Sequence, residues 1–205
     1  MFQRNSARII FVGVVVILGF FFYIFWDLPS LDALPETFMT PSVRITDRND
    51  RLLYEILPQE GGRNTVLSIE NIPQCLKDAT IAVEDKNFYT NPGFDLTGII
   101  RALWINLKGG ETVAGGSTIT QQVARNLLLS QEERTERTLR RKLREAVLAA
   151  QMTRKLSKDE ILALYLNQIN YGGLAYGVEA AAQTYFGKPA SELLLPECAL
   201  IAGLP

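Results

Sequence analysis

Gly115–Leu128 reads G-G-S-T-I-T-Q-Q-V-A-R-N-L-L, and its pattern is helical. Thr118 followed three residues later by Gln121 is a capping box, and Gly115-Gly116 breaks whatever precedes it. Ile119, Val123 and Leu127 recur at every fourth position and make one apolar stripe. The helical pattern runs on both sides of this stretch. Pro73 to Val83 predicts a helix that meets Glu84-Asp85. A second covers Leu96 to Leu107, opened by Asp95 and closed by Gly109-Gly110. A fourth runs from about Glu132 to Met152, with Leu139, Leu143, Ala146, Val147 and Ala150 on one face. A fifth starts at Ser157, boxed by Glu160, and buries Ile161, Leu162, Tyr165, Leu166 and Ile169. A sixth covers Ala175 to Tyr185 and ends at Gly187. Ser191 to Leu204 begins a last segment that stops mid-pattern at Pro205, as a truncated chain would. Upstream, S-V-R-I-T-D-R-N-D-R-L-L-Y-E-I alternates around Asn49-Asp50 and predicts a β-hairpin, with a further short strand at Thr65–Leu67. The expected fold is therefore mainly α with a small N-terminal β-hairpin.

The N-terminus differs in kind. Ile9 to Trp26 holds no charged residue and would span about 27 Å as a helix, close to the hydrocarbon thickness. Arg4 and Arg8 precede it, and Asp27 and Asp32 follow. The positive-inside rule then places residues 1–8 in the cytoplasm, a transmembrane helix at 9–26 and the rest outside. Tyr23 and Trp26 suit the outer interface. A cleaved signal peptide would need a small-x-small site where the bulky aromatics stand, and a helix of a soluble core is the third reading. Residues 27–42, with Pro29, Pro35 and Pro41, read as a stiff linker.

Composition narrows the chemistry. In 205 residues, 21 Lys+Arg nearly cancel 22 Asp+Glu, so no global field points to nucleic acid. There is no His, which removes Ser-His-Asp and Cys-His catalysis and His-ligated metals. Two Cys, Cys75 and Cys198, exclude a four-Cys metal site; each lies in an apolar-periodic segment, and two buried thiols are expected. Carboxylates, hydroxyls, amides and cations must do the work.

Three groups of residues could do so. In E-D-K-N-F-Y-T-N-P-G-F-D, Glu84 stands at the C-terminal end of an apolar helix. Partial burial disfavours its anion and the negative end of the helix dipole acts in the same direction, toward a general base; the bland alternative is an exposed acidic pair. In A-G-G-S-T-I-T-Q-Q, a helix start offers free N–H groups to an anion, with Ser117, Thr118, Gln121 and Gln122 as neutral partners; alternatively it is an ordinary capped helix. In R-T-L-R-R-K-L-R-E-A, Arg137, Arg140, Arg141, Lys142 and Arg144 concentrate positive charge suited to pyrophosphate; alternatively this is a charged surface helix. Glu145 lies about 145° from the centre of the expected apolar stripe, which favours a solvated Glu pairing Arg141. Leu148 and Met152 share its face, however, so the face need not be open to water.

Taken together and in order, these segments resemble the glycosyltransferase domain of class A penicillin-binding proteins and monofunctional peptidoglycan glycosyltransferases. E-D-K-N-F-Y-x-x-x-G-F-D looks like the first motif of that family, G-G-S-T-I-T-Q-Q the second, and R-K-L-R-E the third. K-D-E-I-L-A-L-Y-L-N looks like the fourth and G-L-A-Y-G-V-E-A-A-A-Q-T-Y-F-G-K the fifth. Asn91 departs from the pattern, where the family often has His. The resemblance covers 43–205, a C-terminally truncated transferase domain.

The resemblance implies a lysozyme-like, two-lobed helical fold beside the outer face of the cytoplasmic membrane. It also implies a setting in cell-wall biogenesis and cell shape. The implied reaction joins lipid II to the growing glycan strand with inversion and release of undecaprenyl pyrophosphate. By position, Glu84 matches the general base and Glu145 the carboxylate on the pyrophosphate side, acting directly or through a divalent cation such as Mg or Mn; no organic cofactor is implied. Arg101, Arg125, Arg141 and Lys142 match cations of the cleft. Asp85, Phe88, Ser117, Thr118, Gln121 and Gln122 match substrate-binding positions. Partners would be lipid II, the glycan strand, the bacterial membrane and the cell-wall synthesis machinery, with no nucleic acid. Rival readings are a lysozyme-like peptidoglycan hydrolase and an inactive membrane-anchored scaffold.

Overall fold

The computed structural model of the chain describes residues 2–31, 41–49, 51–58, 62–98, 116–136 and 138–205; in the first helix, side chains are described at Arg8 and from Ile10 onward. Helix α1 (Phe2–Phe25) is continuous. From Ile10 to Tyr23 its described side chains are uncharged and exposed, as at Ile10 and Phe22, and so is Trp26 just beyond it; Ile24 is buried against the body and Phe25 half-buried. A helix of a soluble core would hide at least one stripe. Among the described residues, no helix is long and apolar enough to cross a membrane. The transmembrane helix expected at 9–26 is therefore not supported among the described residues.

The hairpin forms as expected. Strands β1 (Val43–Thr46) and β2 (Leu52–Ile56) pair antiparallel, with a bulge between Ile45 and Thr46. The Asp47 carboxylate closes the turn by accepting from the N–H groups of Asn49 and Arg51, at 2.8 and 2.9 Å. The next strand is displaced from its expected place at Thr65–Leu67. It is β3 (Arg63–Asn64), parallel to β4 (Ala175–Tyr176). The displacement has a tertiary cause: Arg63 N donates to Leu174 O at 2.8 Å, Ser42 N donates to Asn64 O at 2.8 Å, and a Cβ at Gly62 would lie 2.1 Å from Leu174 O.

The rest is helical: α2 (Gln74–Glu84), α3 (Ile119–Leu128), α4 (Gln131–Thr135), α5 (Leu139–Lys155), α6 (Lys158–Gln168), α7 (Gly177–Phe186) and α8 (Leu195–Ala202). The helix expected at Leu96–Leu107 falls mostly on 99–115, outside the described residues. Both capping boxes form, Thr118 with Gln121 and Ser157 with Glu160. The single helix expected over 132–152 is instead two, because Ser130 and Thr138 each cap a separate N-terminus. The helix expected from Ala175 starts at Gly177, since the two residues before it pair with β3.

Helix α3 lies at the centre, against α5 and α6, while α2 packs on α8 and α6 on α7. Ile119, Val123, Leu148, Met152, Ile161, Leu162 and Leu166 are buried between them. The stripe expected on α5 is not the buried one: Leu139 is exposed, and Leu143, Ala146, Val147 and Ala150 are half-buried. The buried residues of α5 are instead Arg144, Glu145, Leu148, Ala149 and Met152. The two cysteines are not free thiols: Cys75 of α2 and Cys198 of α8 form a disulfide across 123 residues of chain. Closing a loop of that length stabilises by about 5 kcal/mol in the chain-entropy account. The architecture is mainly helical with a small antiparallel sheet, consistent with a lysozyme-like fold.

Candidate active site

Helix α2 delivers Glu84 as its last residue and Asp85 as its C-cap. Beyond them the chain turns through 86–97 and meets the entry to α3, leaving a cleft of ≈ 750 Å³ lined by Glu84, Asp85, Asn91, Asp95, Ser117 and Thr118, among others. Glu84 is half-buried. Its Oε2 accepts from Gln122 Nε2 at 2.5 Å, and its Oε1 accepts no hydrogen bond among the described residues. A neutral amide thus holds the carboxylate while leaving one oxygen for a proton.

Asp85 has a different task. Asn91 Nδ2 donates to both of its oxygens, at 3.0 and 2.9 Å, and Oδ2 also accepts from Ile119 N at 3.3 Å. A carboxylate at the first N–H of α3 is favoured by the unpaired donors and the dipole there. Asn91 Oδ1 in turn accepts from Gly93 N at 2.9 Å and from Lys158 Nζ at 3.0 Å. All four hydrogen-bonding positions of one amide are therefore used. Thr118 Oγ1 completes the joint by donating to Gly93 O at 2.6 Å. Gly93 has φ +99°, and a Cβ there would lie 2.6 Å from Ala149 O. Lys158 also stands 4.7 Å from the centre of the Phe88 ring. Burial holds its ammonium below the usual lysine value, with Asp85 pulling it back up.

The basic strip lies on α5. Lys142 Nζ donates to Ser117 Oγ at 2.5 Å, on the cleft rim, and to Glu145 Oε2 at 3.1 Å. Arg141 Nε is 3.5 Å from Glu145 Oε1, too poorly aligned for a hydrogen bond. Glu145 is completely buried, which overturns the expected solvated Glu. Burial lowers the proton affinity of Lys142; Glu145 opposes this, while Arg125 and Arg141 reinforce it. Arg125, in the last turn of α3, therefore lies within electrostatic reach of the strip.

The fold thus gathers Glu84, Asp85, Ser117, Thr118, Gln122 and Lys142 around one cleft. Phe88 and Gln121 are fully buried and support it from within. Arg101 lies outside the described residues. Sequence reasoning missed Lys158 and two tyrosines. The Tyr165 and Tyr171 side chains are buried, and their hydroxyls have no hydrogen-bond partner among the described residues. Burial and the nearby Glu84 charge both push their ionisation up. Tyr165 read as an apolar position of its helix and Tyr171 had no assigned role; nothing local signals their approach to Glu84. Asn91 stood out only as a departure from a motif. Glu145 already faces an ammonium and a guanidinium. Among the described residues, no three acidic or thiol groups converge as metal ligands.

The transglycosylase family profile matches residues 49–205. The chain is 42% identical over 200 residues to penicillin-binding protein 1A of Vibrio cholerae, covering 98% of this chain and 23% of that protein. It is 44% identical over 196 residues to penicillin-binding protein 1A of Aquifex aeolicus, covering 96% and 26%. It is 42% identical over 187 residues to penicillin-binding protein 1A of Pseudomonas aeruginosa, covering 91% and 22%. The chain spans about a quarter of the length of these relatives. On that match over residues 49–205 and these identities, the chain belongs to the transglycosylase family, as the glycosyltransferase domain of class A penicillin-binding proteins.

Proposed function

We propose that the chain is a membrane-anchored peptidoglycan glycosyltransferase that polymerises lipid II. The observation that carries this reading is the pairing of opposite chemistries on one cleft. Glu84 stands at one wall with a free carboxylate oxygen, and Lys142 reaches Ser117 on the rim. The acceptor 4-hydroxyl attacks the anomeric carbon of the growing glycan, and Glu84 takes the hydroxyl proton as the new C–O bond forms. The bond from the anomeric carbon to the pyrophosphate oxygen breaks, and its electron pair leaves with undecaprenyl pyrophosphate, so the anomeric centre inverts. Lys142, Arg141 and Arg125 offset the growing charge on that leaving group. Glu145 keeps Arg141 and Lys142 aligned from beneath, and no step passes through a metal.

The apolar, exposed surface of α1 supports anchoring, with Arg8 on its N-terminal side and Trp26 at its outer end. The proposed topology is single-pass, with the N-terminus in the cytoplasm and the cleft outside. A hydrolase is the rival reading; a neutral glycosidic leaving group has no use for three cations. Incubation with lipid II and, separately, with finished glycan tests the assignment. Glycan strands and undecaprenyl pyrophosphate are expected from the first and no cleavage from the second; cleavage of finished glycan without polymerisation would overturn it.

A further inference from the structure

The basic segment that supplies Lys142 also supplies two arginines that never reach the cleft. Arg140 and Arg144 stand one turn apart on α5 and face the end of α1. Arg144 is 1% exposed. Its Nη1 donates to Ile24 O at 3.1 Å and to the Asp27 carboxylate, and its Nη2 donates to Asp27 O at 3.0 Å. Its Nε is 3.3 Å from Glu133 Oε1. Arg140 Nε donates to Tyr23 O at 3.3 Å and Nη2 to Asp27 Oδ1 at 2.9 Å, and the guanidinium lies 5.1 Å from the centre of the Tyr23 ring. Two guanidiniums thus take up the carbonyls that a helix end leaves without partners, at the end where the dipole favours cations. Asp27 and Glu133 balance the two charges. A buried Arg is tolerated only when its charge is met in this way; Arg144 Nε, close to Glu133, makes no hydrogen bond among the described residues, so the site is demanding of geometry. Arg144 immediately precedes Glu145, and Lys142 is two residues before it. Any rotation of α1 about its end is therefore felt at the residues that face the cleft.

We propose that Arg144 is a positioning residue: with Arg140 and Asp27 it clamps the end of α1 to α5 and sets the height and tilt of the cleft over the membrane from which the donor is drawn. This rests on reading the chain as an anchored glycosyltransferase. The clamp matters for a donor held in a bilayer and is irrelevant for one dissolved in water.

The test compares the full chain and its Asp27→Asn, Asp27→Glu and Arg144→Lys variants on two substrates. One is long-chain lipid II in phosphatidylglycerol–phosphatidylethanolamine vesicles; the other is a short-chain, water-soluble lipid II analogue. Asp27 is half exposed and outside the cleft, so Asp27→Asn is expected to keep the parent far-UV CD spectrum. Its turnover of the soluble substrate is expected within twofold of the parent. On the vesicle substrate its apparent KM is expected to rise at least tenfold, with Arg144→Lys behaving likewise and Asp27→Glu restoring most of the loss. Equal loss on both substrates, or none on either, overturns the clamp while leaving the glycosyltransferase reading intact. A parent chain that turns over neither substrate overturns that reading and the clamp with it.

Discussion

Gln122 Nε2 lies 2.5 Å from Glu84 Oε2, and the helix that carries Gln122 is held at its first N–H by Asp85, the neighbour of Glu84. The two adjacent acids divide the work: Asp85 anchors α3, and α3 returns an amide to orient Glu84. Glu84, the proposed general base, is therefore positioned by its own neighbour, through another helix.

Glu84→Gln keeps the shape of the side chain and removes the proton acceptor. A positioned general base typically contributes about 10²–10⁴-fold, so lipid II polymerisation is expected to fall by at least 10²-fold. Binding of donor or of moenomycin, a ligand of the family, is expected to survive. A variant that polymerises within tenfold of the parent would move the role to another carboxylate.

Asn91→Ala strands several groups at once: both Asp85 oxygens lose a donor, and Gly93 N and Lys158 Nζ lose an acceptor. Leaving a partly buried polar group unpaired costs about 1–3 kcal/mol, so denaturant unfolding is expected to shift by at least that amount. Turnover is expected to fall as well, because the entry to α3 and with it Gln122 lose their reference. An unchanged unfolding midpoint would show that water replaces the amide without loss.

Replacing Arg141 and Lys142 together by Gln is expected to weaken donor binding, since each charge-assisted bond contributes about 1.5–3 kcal/mol. It also strips Glu145 of both partners in a fully buried site. Breaking such a pair is destabilising by about 3–5 kcal/mol, so thermal stability is expected to drop even where far-UV CD keeps its helical signal. Adding Glu145→Gln is expected to restore much of the stability and none of the affinity, which calorimetry of unfolding and of binding would resolve.

Lys142 makes the strip sensitive to alkali. Burial holds its ammonium below the ordinary 10.5, against the pull of Glu145. Between that lowered value and 10.5 the folded chain binds fewer protons than the unfolded one. The destabilisation from burying this charge is fully present below the window and relieved as pH rises through it. Anion binding runs the opposite way: donor affinity is expected to decline at a pH below the one at which an ordinary lysine loses its charge. Lys142→Arg keeps its charge and should flatten that decline in a pH series of binding measurements; an unchanged decline would place the titrating group elsewhere.

Features closed within four residues were legible from the chain alone. The Thr118–Gln121 and Ser157–Glu160 boxes, the Ile119/Val123/Leu127 stripe and the Asn49-Asp50 turn all depend on neighbours in sequence, and all of those in the described residues form. The order of the motifs named Glu84 and Lys142 as well. Three things required the packed chain: the disulfide across 123 residues, the burial of Glu145, and the convergence of Asn91 with Asp85, Gly93 and Lys158. Periodicity marks the apolar face of α5 as a property of that helix alone. Which face is buried depends on the neighbours it meets: α3 packs on α5, and the end of α1 supplied partners for Arg140 and Arg144, which an isolated helix would leave in water.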